Sequence, residues 1–281
     1  MKRVAIQGVP GANHEIAARA YFAGEEIEIV PCNTFKELFE KMQADKDLIG
    51  IVAIENTIAG SLLPNHGLLE DSGKVIVGEY KLRIKHNLVA LKGQEITDIT
   101  EVQSQPIALM QCEEFLDKHK YMRAVESEDT ALSAKLISEK KLKHCAAICS
   151  SLAAEIYGLE ILEEGIETNK RNFTRFLIIC DPSRAEELSK GKTLNKSTLV
   201  FTLPHEEGSL AKILCILSFY HINLTKIQSL PIIGREWEYR FFINLTFDDL
   251  GRYRQSLNAI RPLIKDFKIL GEYENFKPAN E

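Results

Sequence analysis

What this chain lacks excludes several chemistries. Its six cysteines (32, 112, 145, 149, 180 and 215) form no Cys-x-x-Cys pair and no His/Cys cluster at zinc-ligand spacing. That pattern suits a reducing cytoplasm better than a disulfide framework, and no metal is expected. No Gly-x-Gly-x-x-Gly turn and no Walker sequence occurs, so nucleotide cofactors are set aside. There is no basic run or interleaved aromatic patch, and a net charge of −5 is the wrong sign for a general nucleic-acid binder. No apolar run is long enough to span a membrane. The start, Met1-Lys2-Arg3-Val4-Ala5-Ile6-Gln7-Gly8, enters a strand–turn signal without the apolar stretch of a signal peptide. The expectation is a cytoplasmic protein with no membrane association.

What is present is a core and an alternation. At 281 residues, 45% of them hydrophobic, the chain suits two or three domains. Val4–Gln7 reads as a buried strand, Gly8-Val9-Pro10-Gly11 as a tight turn, and Asn13 onward as a helix. A strand at 27–30 precedes a helix over 35–43, capped by Thr34 with Glu37 three residues on. Gly50–Ile54 is a continuous apolar run, the mark of a strand buried on both faces. Strands near 75–80, 86–91 and 101–103 follow, then helices near 106–118 and 130–139, the second capped by Asp129 or Thr130. A strand at 146–148, a helix at 151–157 ending at Gly158, and a strand at 172–180 complete an α/β layered pattern. Residues 181–196 are polar and read as a linker. From Ser197 the order becomes strand 198–203, helix 208–220, strands 222–230 and 237–247, helix 249–264 and strand 267–273. This β-α-β-β-α-β order is a ferredoxin-like unit. Residues 274–281 read as a loose tail.

Four loops follow buried strands, where α/β proteins place ligands. Gly8–His14 reads as an anion-cradling turn at a helix N-terminus or simply as a tight turn. His14 belongs either to a cleft or to the surface. Glu55-Asn56-Thr57-Ile58-Ala59-Gly60-Ser61 is polar or small directly after a doubly buried strand, which points to a ligand. Ser104-Gln105-Pro106 precedes a helix carrying Gln111, and Ser104 is either an N-cap or a ligand contact. Asn172-Phe173-Thr174-Arg175-Phe176 sets a hydroxyl beside a guanidinium, a fixed fork for carboxylates. These loops offer hydroxyls, amides and one Arg, without a Ser–His–Asp order. Such a site suits binding a small anion and stabilising charge, not covalent intermediates.

Taken together, these segments resemble prephenate dehydratases that carry a C-terminal ACT regulatory domain. Gly8–Ala17 is similar to the family's opening glycine motif, and Glu55–Ser61 to its Glu-Asn-Ser/Thr-x-x-Gly-Ser block. Ser104–Cys112 resembles its Ser-His-Pro block, and Asp129–Ala134 its Asp-Thr-Ala block. Ala153–Leu162 and Asn172–Phe176 resemble the Tyr-Gly-Leu and Thr-Arg-Phe motifs. Leu203–Leu210, Ile222–Ile227 and Trp237–Tyr239 look like the ACT pattern. Some positions depart from it. Asn13-His14 stands where the family has Tyr-Ser, and Gln105 where it has His. Gln228-Ser229-Leu230-Pro231 replaces its Glu-Ser-Arg-Pro.

The resemblance implies two α/β subdomains like a type II periplasmic binding protein, about residues 1–77 plus 160–180 and 78–159, with a cleft between them. Residues 1–180 would form the catalytic domain, 181–196 the linker and 197–273 the ACT domain. The implied reaction is decarboxylating dehydration of prephenate to phenylpyruvate in phenylalanine biosynthesis, with no cofactor. Arogenate dehydratase and a non-catalytic amino-acid sensor are the alternatives. Thr174, Arg175 and Glu55 are implied as catalytic. Thr174 would assist the departing hydroxyl and Arg175 would hold the surviving carboxylate. Glu55 is a proton carrier or a structural partner of backbone N–H groups or Arg175. Asn56, Thr57, Ser104, Gln111, Thr130 and Phe176 are implied as substrate contacts, and His66 and His86 as structural. Leu203, Gly208, Ser209, Leu210, Asn223 and Leu224 would bind L-phenylalanine in a homodimer or homotetramer.

Overall fold

The computed structural model of the chain describes residues 1–276; residues 277–281 of the expected tail lie outside the described residues. The chain begins β1 (Lys2–Gln7), α1 (Asn13–Tyr21), β2 (Ile27–Cys32), α2 (Phe35–Ala44) and β3 (Ile49–Asn56). Thr34 caps α2 by accepting the Glu37 N–H at 3.1 Å, and the Glu37 carboxylate accepts the Asn33 N–H at 2.7 Å. This is a capping box displaced by one residue. Next come β4 (Gly60–Ser61), α3 (Leu63–Ser72), β5 (Val75–Arg83), β6 (Asn87–Ala90) and β7 (Glu101–Ser104). The sequence reading missed α3, whose Pro64, Asn65, Gly67 and Asp71 carry low helix propensity.

The helix expected over 106–118 divides into α4 (Pro106–Gln111) and α5 (Glu113–Lys118). The Gln111 carbonyl accepts the Thr168 N–H at 2.8 Å, while the Phe115 N–H turns to Cys112. The ladder is therefore interrupted where another segment claims its acceptor. Then follow β8 (Arg123–Glu126), α6 (Thr130–Lys140), β9 (Cys145–Cys149), α7 (Ser151–Ile156), β10 (Glu160–Glu163) and β11 (Phe173–Cys180). Asp129 caps α6 by accepting the Leu132 N–H at 2.9 Å. The stretch read as a linker holds α8 (Ala185–Ser189), and the C-terminal part is β12 (Lys196–Thr202), α9 (Ser209–Phe219), β13 (Asn223–Pro231), β14 (Tyr239–Thr246), α10 (Leu250–Ile260) and β15 (Lys265–Tyr273). No helix among the described residues is long and apolar enough to cross a membrane.

The described residues cluster into two compact units: Met1–Leu62 with Tyr80–Phe176, and Leu63–Glu79 with the described residues from Leu177 onward. In the first unit, β1 pairs in parallel with β2 and β3. A separate five-stranded sheet has the order β10-β6-β9-β7-β8. Leu88, Val102, Phe115 and Ile148 pack on one face of that sheet, and Val89, Ala134, Ile137 and Ala147 on the other.

In the second unit, β12 lies between β14 and β15, all antiparallel, and β13 pairs with β14. With α9 and α10 this completes the βαββαβ unit around Leu199, Phe201, Ile243, Tyr253 and Leu257. The segment Leu63–Glu79 belongs to this unit through ion pairs. Arg240 donates to Glu70 at 2.6 Å, and Lys196 Nζ lies 2.8 and 2.9 Å from the two Glu79 oxygens. Lys196 and Glu79 are both buried. Glu79 also accepts the Phe276 N–H at 3.0 Å, and Asn195 accepts the Asn275 N–H at 2.6 Å. The described start of the tail is thus pinned rather than loose.

Candidate active site

A cavity of about 320 Å³ opens in the first unit. Asn56 lines it from the end of β3, Thr174 and Phe176 from β11, Gln105 and Gln111 from the α4 segment, and Asp129 and Thr130 from the start of α6. His14 and Phe35 close the apolar side, and His86 reaches it from just before β6. Loops distant in sequence therefore converge on one space.

A chain of hydrogen bonds fixes the polar side. Gln111 Oε1 accepts from Asn172 Nδ2 at 2.8 Å and lies 2.9 Å from His86 Nε2. An amide oxygen only accepts, so His86 carries its proton on Nε2. Burial pushes the His86 pKa down, partly offset by the Gln111 bond, so the ring acts as a neutral donor. Gln111 Nε2 faces Asn56 Oδ1 at 3.5 Å. That oxygen also accepts the N–H groups of Ile58 and Ala59 at 2.9 and 2.8 Å. The amide of Asn56 is thereby oriented, and its Nδ2 donates to Asn172 Oδ1 at 2.7 Å and to Thr174 Oγ1 at 3.0 Å. The Thr174 oxygen accepts from Asn56, so its own proton is left for another acceptor.

Four expected site residues lie outside this lining. Arg175 is 5% exposed and turned away, because neighbours on a strand face opposite sides and Thr174 and Phe176 take the cavity side. Its Nη1 donates to Glu55 Oε1 at 3.1 Å, the structural partnership weighed from sequence. Thr57 ties two segments together, donating to the Arg171 carbonyl at 3.0 Å and accepting the Phe173 N–H at 2.9 Å. Ser104 neither caps a helix nor reaches the cavity: it is fully buried and donates to the Ile148 carbonyl at 2.7 Å. His86, expected to be structural only, stands at the site instead. His66 is buried in the second unit, edge-on to Phe242 at 5.2 Å between centroids.

The first loop is not an anion cradle. The Gly11 N–H is spent on Glu15 Oε2 at 2.7 Å, and Glu15 is clamped by Arg19 at 2.6 and 2.8 Å. Ser150 Oγ donates to the Gly11 carbonyl at 2.6 Å, and Tyr157 Oη to the Pro10 carbonyl at 2.8 Å. Gly11 has φ +90°, and a Cβ there would sit 2.6 Å from Ala153 Cα. Glycine is what lets this turn dock onto α7. The docking aims α1, and with it Asn13 and His14, at the cavity.

Asp129 is the one ionisable carboxyl among the lining residues, and burial raises its pKa. Burial also lowers the His14 pKa to about 3, so its ring is neutral at ordinary pH. Sequence reasoning missed Asp129 as a wall because its capping role explained it fully. Among the described residues no group of three or more His, Cys, Asp or Glu is placed to hold a metal.

In the second unit a smaller hollow is lined by Leu203, Ser209 and Leu210, together with Pro204, Trp237 and Tyr239. Gly208 starts α9 at φ +75° without lining it. Asn223 and Leu224 lie elsewhere. Asn223 Nδ2 donates to Thr246 Oγ1 at 3.4 Å, and Leu224 packs on the core.

Two sheets and a cavity walled by hydroxyls, amides and aromatic edges define an α/β protein with a polar, partly aromatic pocket in its first unit. A family model described as prephenate dehydratase matches residues 4–184, and the chain belongs to the prephenate dehydratase family. It is 35% identical to arogenate dehydratase 3, chloroplastic, of Arabidopsis thaliana, over 96% of this chain and 66% of that protein. The chain thus spans about two thirds of that relative's length. The prephenate dehydratase of Arthrobacter aurescens, solved in complex with L-Phe, matches with a TM-score of 0.85 at 26% identity, covering 99% of this chain and 92% of that one. A structure described as GqqA, a novel type of quorum quenching acylase, matches with a TM-score of 0.85 at 28% identity, covering 98% of each chain.

Proposed function

We propose that this chain converts prephenate to phenylpyruvate, carbon dioxide and water, in the cytoplasm and without a cofactor, as a step of phenylalanine biosynthesis. The observation that carries the reading is the Thr174 hydroxyl, held as an acceptor by Asn56 and so poised to donate into the cavity. In the reaction the pair of the C1–carboxylate bond enters the ring and carbon dioxide leaves. The C4–O bond breaks, and the oxygen departs with that pair and takes up a proton to form water. Aromatisation drives the electron flow, so the protein's task is to orient the ring and stabilise charge on the leaving oxygen. A threonine hydroxyl is far too weak an acid to give up its proton near neutral pH. Thr174 therefore acts by hydrogen bonding to the leaving oxygen, and solvent completes the water. Asn56, Gln111 and His86 hold Thr174 in that orientation. Arg175 braces Glu55 behind the wall, as a positioning residue rather than a clamp on substrate.

The likeness to arogenate dehydratase 3 favours a second reading, the same elimination on the aminated substrate. The acylase reading is not favoured by the cavity. Acyl transfer by a serine or threonine calls for a base hydrogen-bonded to the hydroxyl. Here His86 Nε2 faces Gln111, and His14 Nε2 has no partner.

The C-terminal βαββαβ unit is read as an ACT domain that binds L-phenylalanine and pairs with its copy in a homodimer or homotetramer. Support comes from the hollow beside Leu203, Ser209 and Leu210 and from the L-Phe complex of the Arthrobacter protein. Turnover of prephenate and of arogenate, each with and without phenylalanine, tests these readings. Formation of phenylpyruvate from prephenate is expected, and turnover of arogenate alone would replace the first reading with the second.

A further inference from the structure

We infer that His14 donates the hydrogen bond that holds the substrate's departing ring carboxylate. This rests on the functional reading above and assigns one of the two carboxylates that reading leaves without a partner. His14 lines the same cavity as Thr174 and is 9% exposed. Its Nε2 is buried with no hydrogen-bond partner, and native proteins seldom leave such an atom unanswered. The ring is gripped by aromatic edges instead, against Phe35 at 5.4 Å and Phe176 at 5.0 Å between centroids. None of these ring contacts supplies the nitrogen with a hydrogen-bond partner, and the ring borders the cavity.

Position along the strand selects which end of the ligand it meets, and chemistry then selects the group. Thr174 and Phe176 both line the cavity, two residues and roughly 6.6 Å apart on one face of β11. Prephenate carries its hydroxyl at C4 and, at C1, both its ring carboxylate and its pyruvyl side chain, so the two ends of the six-membered ring differ. With the hydroxyl at Thr174, the ring lies along the strand and C1 reaches the place where His14 rests on Phe176.

The chemistry suits a neutral donor. The C1 carboxylate must shed its charge as carbon dioxide, and a full cation would stabilise the ground state more than the transition state. None of the lining residues is Lys or Arg. A neutral imidazole N–H orients the carboxylate, and its grip loosens as the charge leaves. The C1–carboxylate pair goes into the ring, the C4–O pair leaves with oxygen, and His14 keeps its proton throughout. The contact is this chain's own, because Asn13-His14 stands where the family pattern resembled above has Tyr-Ser.

The test compares ligands that keep different carboxylates. Phenylpyruvate has lost the ring carboxylate and retains the one on the side chain. His14→Phe is expected to raise KM for prephenate roughly tenfold or more, as for loss of a hydrogen bond to a charged group. Inhibition by phenylpyruvate should stay unchanged, and His14→Gln, which keeps an N–H donor, should recover part of the loss. On the unaltered protein, the imidazole nitrogen NMR signal of His14 should move with cyclohexanecarboxylate and not with phenylpyruvate, a readout independent of how the variants fold. Parallel weakening of phenylpyruvate inhibition, an unchanged KM in folded His14→Phe, or an NMR signal indifferent to cyclohexanecarboxylate would overturn the assignment. A parent protein that makes no phenylpyruvate from prephenate would overturn the functional reading itself, while the NMR comparison still decides the His14 contact.

Discussion

Two buried polar regions of this protein are built on opposite terms. In the second unit, Lys196 faces both Glu79 oxygens, and the same carboxylate takes the Phe276 N–H. Donors and acceptors there satisfy one another across segments far apart in sequence. In the first unit, the chain from His86 through Gln111 and Asn56 ends at a hydroxyl whose proton has no assigned acceptor, beside an imidazole whose Nε2 has none. Internally satisfied polar groups at the first place bear on architecture, and unspent valence at the second points to a ligand.

The contrast breaks most visibly at the ion pair. Glu79→Ala strands the Lys196 ammonium and is expected to cost about 3–5 kcal/mol, read from urea unfolding midpoints. The double variant Glu79→Ala with Lys196→Met should recover much of that loss. A loss below about 1 kcal/mol in the single variant would mean that the pair is not a structural tie.

Acid sharpens the comparison next. The unfolded chain protonates His14 near the ordinary histidine value of 6.5, whereas the folded chain resists to about 3. Between those values the unfolded state binds more protons, so stability falls as pH falls, by at most about 1.4 kcal/mol per pH unit for this group. Asp129 acts oppositely. Its raised pKa lets the folded state keep a proton above the unfolded value of 3.8, so its contribution falls as pH rises there. His14→Phe should therefore flatten the acid decline in stability between pH 6 and 4 relative to the parent. An identical pH profile would show that His14 titrates alike in both states. At the small end, Thr34→Ala removes the exposed cap of α2 and should cost about 1 kcal/mol in denaturant unfolding.

Much of this architecture is legible in the sequence. The alternation of apolar strands and capped helices predicted the layered fold, and the order from Ser197 predicted the βαββαβ unit. The polar block after β3 and the Thr174 segment do meet in one cavity. Other features escaped for physical reasons. Period-two geometry turns Arg175 away from the face that Thr174 and Phe176 share, although adjacency in sequence suggests a joint site. Helix α3 is held through Glu70 to Arg240 rather than by its own propensity. Ser104 answers a carbonyl on another strand, and no local pattern announces that partner. Lys196 reads as the end of a polar linker because its counter-charge lies 117 positions away in the sequence.

The most direct test is at Thr174. Thr174→Val keeps the shape and removes the hydroxyl, whereas Thr174→Ser keeps the hydroxyl, and both are assayed by phenylpyruvate formation from prephenate. The account predicts a fall in kcat of roughly 10²–10³ for the valine variant with little change in KM, as for loss of one donor to a developing anion. Most of the rate should persist in the serine variant. A valine variant that retains the parent kcat would contradict the claim that the Thr174 proton assists the departing hydroxyl.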